Sequence, residues 1–244
     1  MDCVTTKLHA VVKDFSPRGG ATIVEVRRLF LTSLAPSMCA PWLTFPPSFS
    51  QINGSIMVFG GADREQTHFQ DLLMYKNGAN SQFQAATATG DIPMPRSGHA
   101  VVAFGKYMLL YGGIDFAEEA VFNDLYILDT DSLEWGYVGE SGAEVLARNS
   151  HSMGIVYSSA GAGAVAYLVV YGGASPEHGA LGDTLYAQLP DPASIDDKFF
   201  IKWEVLETGV LASPGSREMH GSCCFQGRLF ISGGRDGDGN LLED

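Results

Sequence analysis

The chain has 244 residues, 45% hydrophobic and only 18% charged, a balance that excludes a disordered polypeptide. A formal net charge of −13 excludes the basic patch on which nucleic-acid binding depends, and argues equally against docking on an anionic membrane. The 29 glycines and 11 prolines fall at spaced turns, which excludes low complexity, and no run is long and apolar enough to span a bilayer.

Residues 1–47 are irregular. They carry Arg18, Arg27 and Arg28, offset by Asp2, Asp14 and Glu25, and lack the charged start and compact apolar stretch of a secretory signal. His9-Ala10-Val11-Val12 echoes His99-Ala100-Val101-Val102, but Lys13-Asp14 and Pro17 stand where a second strand would follow. This segment reads as an irregular extension or a decayed copy of the unit that begins at residue 48. There Asn53-Gly54 is taken as a hairpin turn, not as part of a glycosylation sequon. Ile56–Phe59 runs to Gly60-Gly61, followed by Asp71, Leu72-Leu73 and Phe83.

The next copy is the clearest. Arg96 and His99 open an apolar stretch to Phe104, Gly105-Lys106 turns, and Tyr107–Tyr111 runs to Gly112-Gly113. A polar loop, Asp124–Asp129, a Thr130-Asp131-Ser132 turn and Glu134-Trp135 complete four β-rich runs, the pattern of a four-stranded antiparallel meander. Tyr107–Tyr111 is apolar at every position, as expected of a strand covered on both faces, so the small sheets should stack on one another. Arg148/His151 leads in the same way to Gly172-Gly173, Asp183, Leu185-Tyr186 and Trp203, with an insertion marked by Asp191-Pro192 and Asp196-Asp197. Arg217/His220 leads through Cys223-Cys224 to Gly233-Gly234, and Asp244 takes the place of Asp71 and Asp183. The first glycines are 52, 60 and 61 residues apart, one small sheet per repeat. Each Trp or Phe is expected to wedge between neighbouring sheets, with the glycine doublets letting the ring lie close to the backbone.

Arg-x-x-His, Gly-Gly, Asp-Leu-Tyr and Trp in this order resemble the kelch repeat, whose units of roughly 50 residues form the blades of a β-propeller. The resemblance covers residues 48–244 and implies an all-β fold of kelch-type blades in an incomplete ring. About three and a half repeats are present where such rings usually have five to seven blades. Stopping inside a motif, the chain reads as a fragment, with apolar faces exposed on its first and last blades.

The resemblance implies a protein-interaction scaffold that binds through the loops after Gly-Gly and those before the Arg-x-x-His strand. Those loops carry Asp63, Asp115, Glu118, Glu119, Glu177 and Asp236, so an acidic face for a basic protein partner is expected. Arg96, Arg148 and Arg217 lie near the same rim and are counted with it as candidate contacts, although bracing of the turns is the plainer role. The alternative is a metalloenzyme or oxidase using axial side chains, since His99, His151 and His220 would line the axis and three imidazoles could hold zinc or iron. Against it, the histidines repeat with the structural motif and suit a tie between blades. No nucleophile elbow or phosphate-cradling loop is present, and no enzyme activity, metal or cofactor is assigned. Asp236-Gly237-Asp238-Gly239-Asn240 mimics a calcium loop but has Leu241 where the sixth-position glycine belongs, so it reads as a turn. Four cysteines form no framework; Cys223 and Cys224 are expected to be buried, which suits a reducing, cytoplasmic setting.

Overall fold

The computed structural model describes residues 21–22, 47–52, 55–76, 83–158, 164–196, 199–207, 214–225 and 227–244. Three antiparallel meanders follow one another. The first comprises β1 (Pro47–Ile52), β2 (Ser55–Phe59), β3 (Leu72–Lys76) and β4 (Phe83–Ala86). A two-residue strand, β5 (Thr89–Gly90), then leads to β6 (Ala100–Phe104), β7 (Tyr107–Asp115), β8 (Ala120–Asp129) and β9 (Glu134–Gly142). The third has β10 (Ser152–Tyr157), β11 (Ala166–Tyr171), β12 (Thr184–Leu189) and β13 (Phe200–Val205). A hairpin, β14 (Gly221–Phe225) and β15 (Arg228–Ser232), begins a fourth. The described residues contain no α-helix, only a 3-10 turn at Pro192–Ser194. This is the all-β, bladed architecture expected. The reading of residues 1–47 falls almost wholly outside the described residues. Within it, Ala21–Thr22 pairs in parallel with Pro47–Ser48.

Adjacent sheets pack face to face by simple alternation. On the second strand, residues one and three places before the glycine doublet face the following blade, and those two and four places before it face the preceding one. Met57 and Phe59 therefore meet Met108 and Leu110, and Leu109 and Tyr111 meet Leu168 and Val170. The continuous apolar run at Tyr107–Tyr111 is fully spent on these two seams. Trp135 fills the first with its ring 5.2 Å from Phe59, and Trp203 fills the second with its ring 5.4 Å from Tyr111. Phe83 lies 5.3 Å from Tyr75 within its own sheet, and the seam it would fill, toward a preceding blade, falls outside the described residues.

The blades are also strapped at their outer edges. β5 continues past its own sheet and pairs in parallel with Glu134-Trp135, and the tail of β9, Gly139–Gly142, does the same with Phe200–Trp203. At the inner edge, β1 lies beside β6, β6 beside β10 and β10 beside β14.

Cys223 and Cys224 are exposed, correcting the expectation that they are buried. Among the described residues their strand pairs only with β15, and no sheet covers its outer face. The Cys224 sulfur nevertheless fills the space that a Cβ on Gly154 would need, and burial there raises its thiol pKa.

Candidate functional site

The three repeated arginines are clamps. Arg148 donates from its Nη atoms to both carboxylate oxygens of Asp183, at 3.0 and 2.8 Å, to the Gly172 carbonyl at 3.0 Å, and from Nε to the Leu146 carbonyl. Arg96 holds Asp124 and the Gly112 carbonyl in the same way, and Arg217 holds Asp244 and the Gly233 carbonyl. A planar fork matches a carboxylate in two bonds at once, which a lysine ammonium cannot do. Each clamp fixes the two ends of the loop that leaves the glycine doublet.

The two glycines of each doublet have different tasks. A Cβ on Gly112 would fall 2.7 Å from the Arg148 carbonyl and 2.9 Å from the His151 ring, both in the next blade. On Gly113 it would strike His99 of the same blade. The doublet thus makes room for the neighbouring arginine turn and for histidine, not for the Trp wedge. Both glycines also have positive φ, where a Cβ would be strained. The amides of Gly61, Gly113 and Gly173 donate to the carbonyls of Arg96, Arg148 and Arg217, joining each blade to the next.

A second inter-blade ladder runs through the residue before each histidine. Ser150 donates its amide to the Gly98 carbonyl, and Met219 donates to the Ser150 carbonyl. All three are left-handed, with φ of 63°, 54° and 56°. The histidines themselves sit edge-on to the aromatic residue ahead of the preceding doublet: His99 to Phe59, His151 to Tyr111, His220 to Tyr171. Burial, followed by the adjacent arginine, pulls His99 down to about 3, His220 to about 4 and His151 well below its ordinary value. They are neutral wedges. Among the described residues, no three His, Cys, Asp or Glu side chains gather closely enough to hold a metal ion.

Four of the residues expected to contact a partner are buried. Arg96, Arg148 and Arg217 are 0%, 0% and 3% exposed, because their clamps enclose them, so they cannot reach another molecule as they stand. Asp115 is 4% exposed and is used internally. Asp63 and Asp236 are half-buried turn-formers, accepting the Thr67 amide in one case and the Asp238 and Asn240 amides in the other. Asp236 also bonds the Asn240 side chain, so the calcium-like stretch closes on itself as a turn. Glu118, Glu119 and Glu177 are exposed on the loops after the doublets, as are Glu65 and Asp238.

Sequence reading missed His68. Its Nδ1 lies 3.2 Å from Oδ1 of Asp115, its Nε2 lies 3.0 Å from the Ser97 hydroxyl, and its ring lies 5.5 Å from that of Phe116. The order Asp–His–Ser is that of a nucleophilic relay. Ser97, however, is 0% exposed, which closes its hydroxyl to any substrate. The signal for this contact was the repeat itself. Two residues past the first glycine pair with eight past it at Ala62/His68, Ala174/Ala180 and Arg235/Leu241, so His68 occupies a place that is apolar in the other two.

Residues 47–162 match the family model of the KLHDC2/KLHL20/DRC7 Kelch-repeats domain. The chain is 30% identical over 192 residues to Tip elongation aberrant protein 1 of Schizosaccharomyces pombe, covering 78% of this chain and 15% of that protein. It is 24% identical over 195 residues to human Kelch domain-containing protein 3, covering 80% and 48%. Host cell factor of Drosophila melanogaster is 25% identical over 242 residues, covering 89% and 15%. The chain therefore spans less than half the length of each of these relatives.

Proposed function

The chain belongs to the kelch-repeat family, and we propose that it acts as a protein-interaction scaffold that captures a basic segment of a partner on its loop rim. The observation that carries this reading is the contrast between buried and exposed charge. Every repeated arginine is consumed by a clamp, whereas Glu65, Glu118, Glu119 and Glu177 extend from successive loops of the same rim into solvent. The two arginines of these loops, Arg64 and Arg235, are both exposed, and Arg235 is paired with Glu218 at 2.8 Å. A field of one sign steers an oppositely charged partner and weakens steeply with salt.

Binding of a fluorescent oligo-arginine peptide tests the proposal. Affinity should fall at least about ten-fold between low and physiological salt. The combined Glu118→Lys, Glu119→Lys and Glu177→Lys variant should lose most of the binding while keeping its unfolding midpoint, because among the described residues these side chains form no hydrogen bond or ion pair. An affinity indifferent to both salt and the three changes would remove the electrostatic reading.

A further inference from the structure

We propose that His68 is a positioning residue for the acidic rim and that its ionisation makes capture of a cationic partner pH-dependent. The proposal rests on the rim reading given above and adds its regulation. One carboxylate joins the parts. Asp115 Oδ1 faces His68 Nδ1 in the first blade and also accepts the Ala117 amide at 2.9 Å, which shapes the turn that presents Glu118 and Glu119. Phe116, between them, lies against the His68 ring. The loop carrying two of the rim's glutamates therefore packs on one imidazole of the neighbouring blade, whose Nδ1 faces Asp115 without a hydrogen bond among the described residues.

This tie is peculiar to the first seam. The residue eight past the first glycine packs onto the loop of the following blade, as Ala180 does beside Gly237. His68 makes the same kind of contact through an ionisable ring, onto an aspartate. The groups facing it are Asp115 across the seam, Asp63 in its own loop, and the Ser97 hydroxyl ahead of β6. Arg96, next in sequence to Ser97, is neutralised by Asp124.

The direction follows from charge. At neutral pH the imidazole is uncharged, since burial lowers its pKa from 6.5 despite the pull of Asp115. The Asp115 charge then adds to the negative field of the rim. Protonation below that range places a positive charge 3.2 Å from the carboxylate and cancels it, so a cationic partner is held less well. Reciprocally, a bound cation disfavours the protonated ring, and binding releases protons.

The test uses the full chain and an oligo-arginine peptide. As pH is lowered from 7.5 through the depressed range of the imidazole, the wild-type affinity should fall roughly three- to ten-fold more than that of His68→Gln, which is polar but cannot titrate. Calorimetry at pH 6 in buffers of different ionisation enthalpy should show proton release for the wild type only. Identical pH profiles for wild type and His68→Gln overturn the inference and leave the rim reading intact, while failure of the peptide to bind at any salt overturns both. An NMR titration of the His68 ring in the unmodified chain gives a reading independent of the variant. A ring signal that moves at the same pH with and without saturating peptide overturns the inference.

Discussion

Arg148 shows how much of each repeat depends on a single side chain. Its guanidinium is completely buried, yet four of its five N–H donors are answered by a carbonyl or by Asp183. Arg148→Lys keeps the charge but cannot form the paired bonds to Asp183 or reach the same carbonyls. We expect a loss of about 3 kcal/mol, the cost of leaving a buried polar partner unanswered, read as a lower urea midpoint with an unchanged slope. Arg217→Lys should cost less, because its partner Asp244 is 68% exposed, against 32% for Asp183, and water can replace the bond. Equal losses at the two sites would show that the guanidinium's packing, and not its partner's burial, sets the energy. The arginine, histidine and aspartate positions were legible in the sequence because they recur at fixed offsets. That the arginine and aspartate clasp each other was not, because the residues are 28 and 35 apart and only the folded loop brings them together.

At the scale of the element, the strap between the second and third blades carries a buried acid. Glu140 stands opposite Ile201 in the parallel pairing of β9 with β13. Its Oε1, the Tyr111 hydroxyl and the Trp203 Nε1 are all buried without a hydrogen-bond partner among the described residues. Burial pushes the Glu140 carboxyl up to about 7, opposed by the nearby Trp203 indole, which approaches it without a well-aligned hydrogen bond, and helped to a lesser extent by Asp124. A carboxyl whose pKa is raised on folding binds its proton more tightly in the native chain. Its destabilising effect is therefore absent below the ordinary value of 4.5, grows as pH rises from 4.5 to about 7, and is complete above that. Glu140→Gln should thus raise stability at pH 8 by about 2 kcal/mol after allowance for solvent screening, and change little at pH 4.5. Denaturant midpoints at the two pH values measure this, and a gain equal at both would trace the effect to packing instead of ionisation. The straps themselves left no clear mark in the sequence. Their signal is a glycine at the end of the strap, Gly90 or Gly142, where a Cβ would collide with the Trp135 or Trp203 carbonyl, and two such glycines among 29 carry little weight before the fold is known.

For the whole molecule, one alternation rule explains both what is buried and what is exposed. The residue three places before each glycine doublet faces the following blade: Met57 and Leu109 are 3% and 0% exposed, whereas Phe230, at the same place in the last hairpin, is 48% exposed. Phe225, two residues along the paired strand from Cys223, which stands opposite Phe230, is 61% exposed. Sequence reading anticipated this apolar end face, because a strand apolar on both sides needs two neighbours, but it did not extend the reasoning to Cys223 and Cys224 on the same hairpin. It also overcounted the acidic rim, since nothing in the composition separates an aspartate that shapes its own turn from a glutamate that faces water. The exposed face has a consequence for the 244-residue chain in solution. Two phenylalanines beside an edge strand, β15, whose outer side is unpaired among the described residues, form a template for association. Phe230→Lys places a charge on that face without disturbing a seam. The 244-residue chain by itself should self-associate as its concentration rises in sedimentation experiments, and the variant should do so much less, with an unfolding midpoint within about 0.5 kcal/mol of the unsubstituted chain. Leu109→Lys, the same change at the same repeat position, should instead prevent stable folding, because there the charge enters a closed seam. If Phe230→Lys unfolded the chain as Leu109→Lys does, the fourth hairpin would have to be packed against a surface that the alternation rule does not provide.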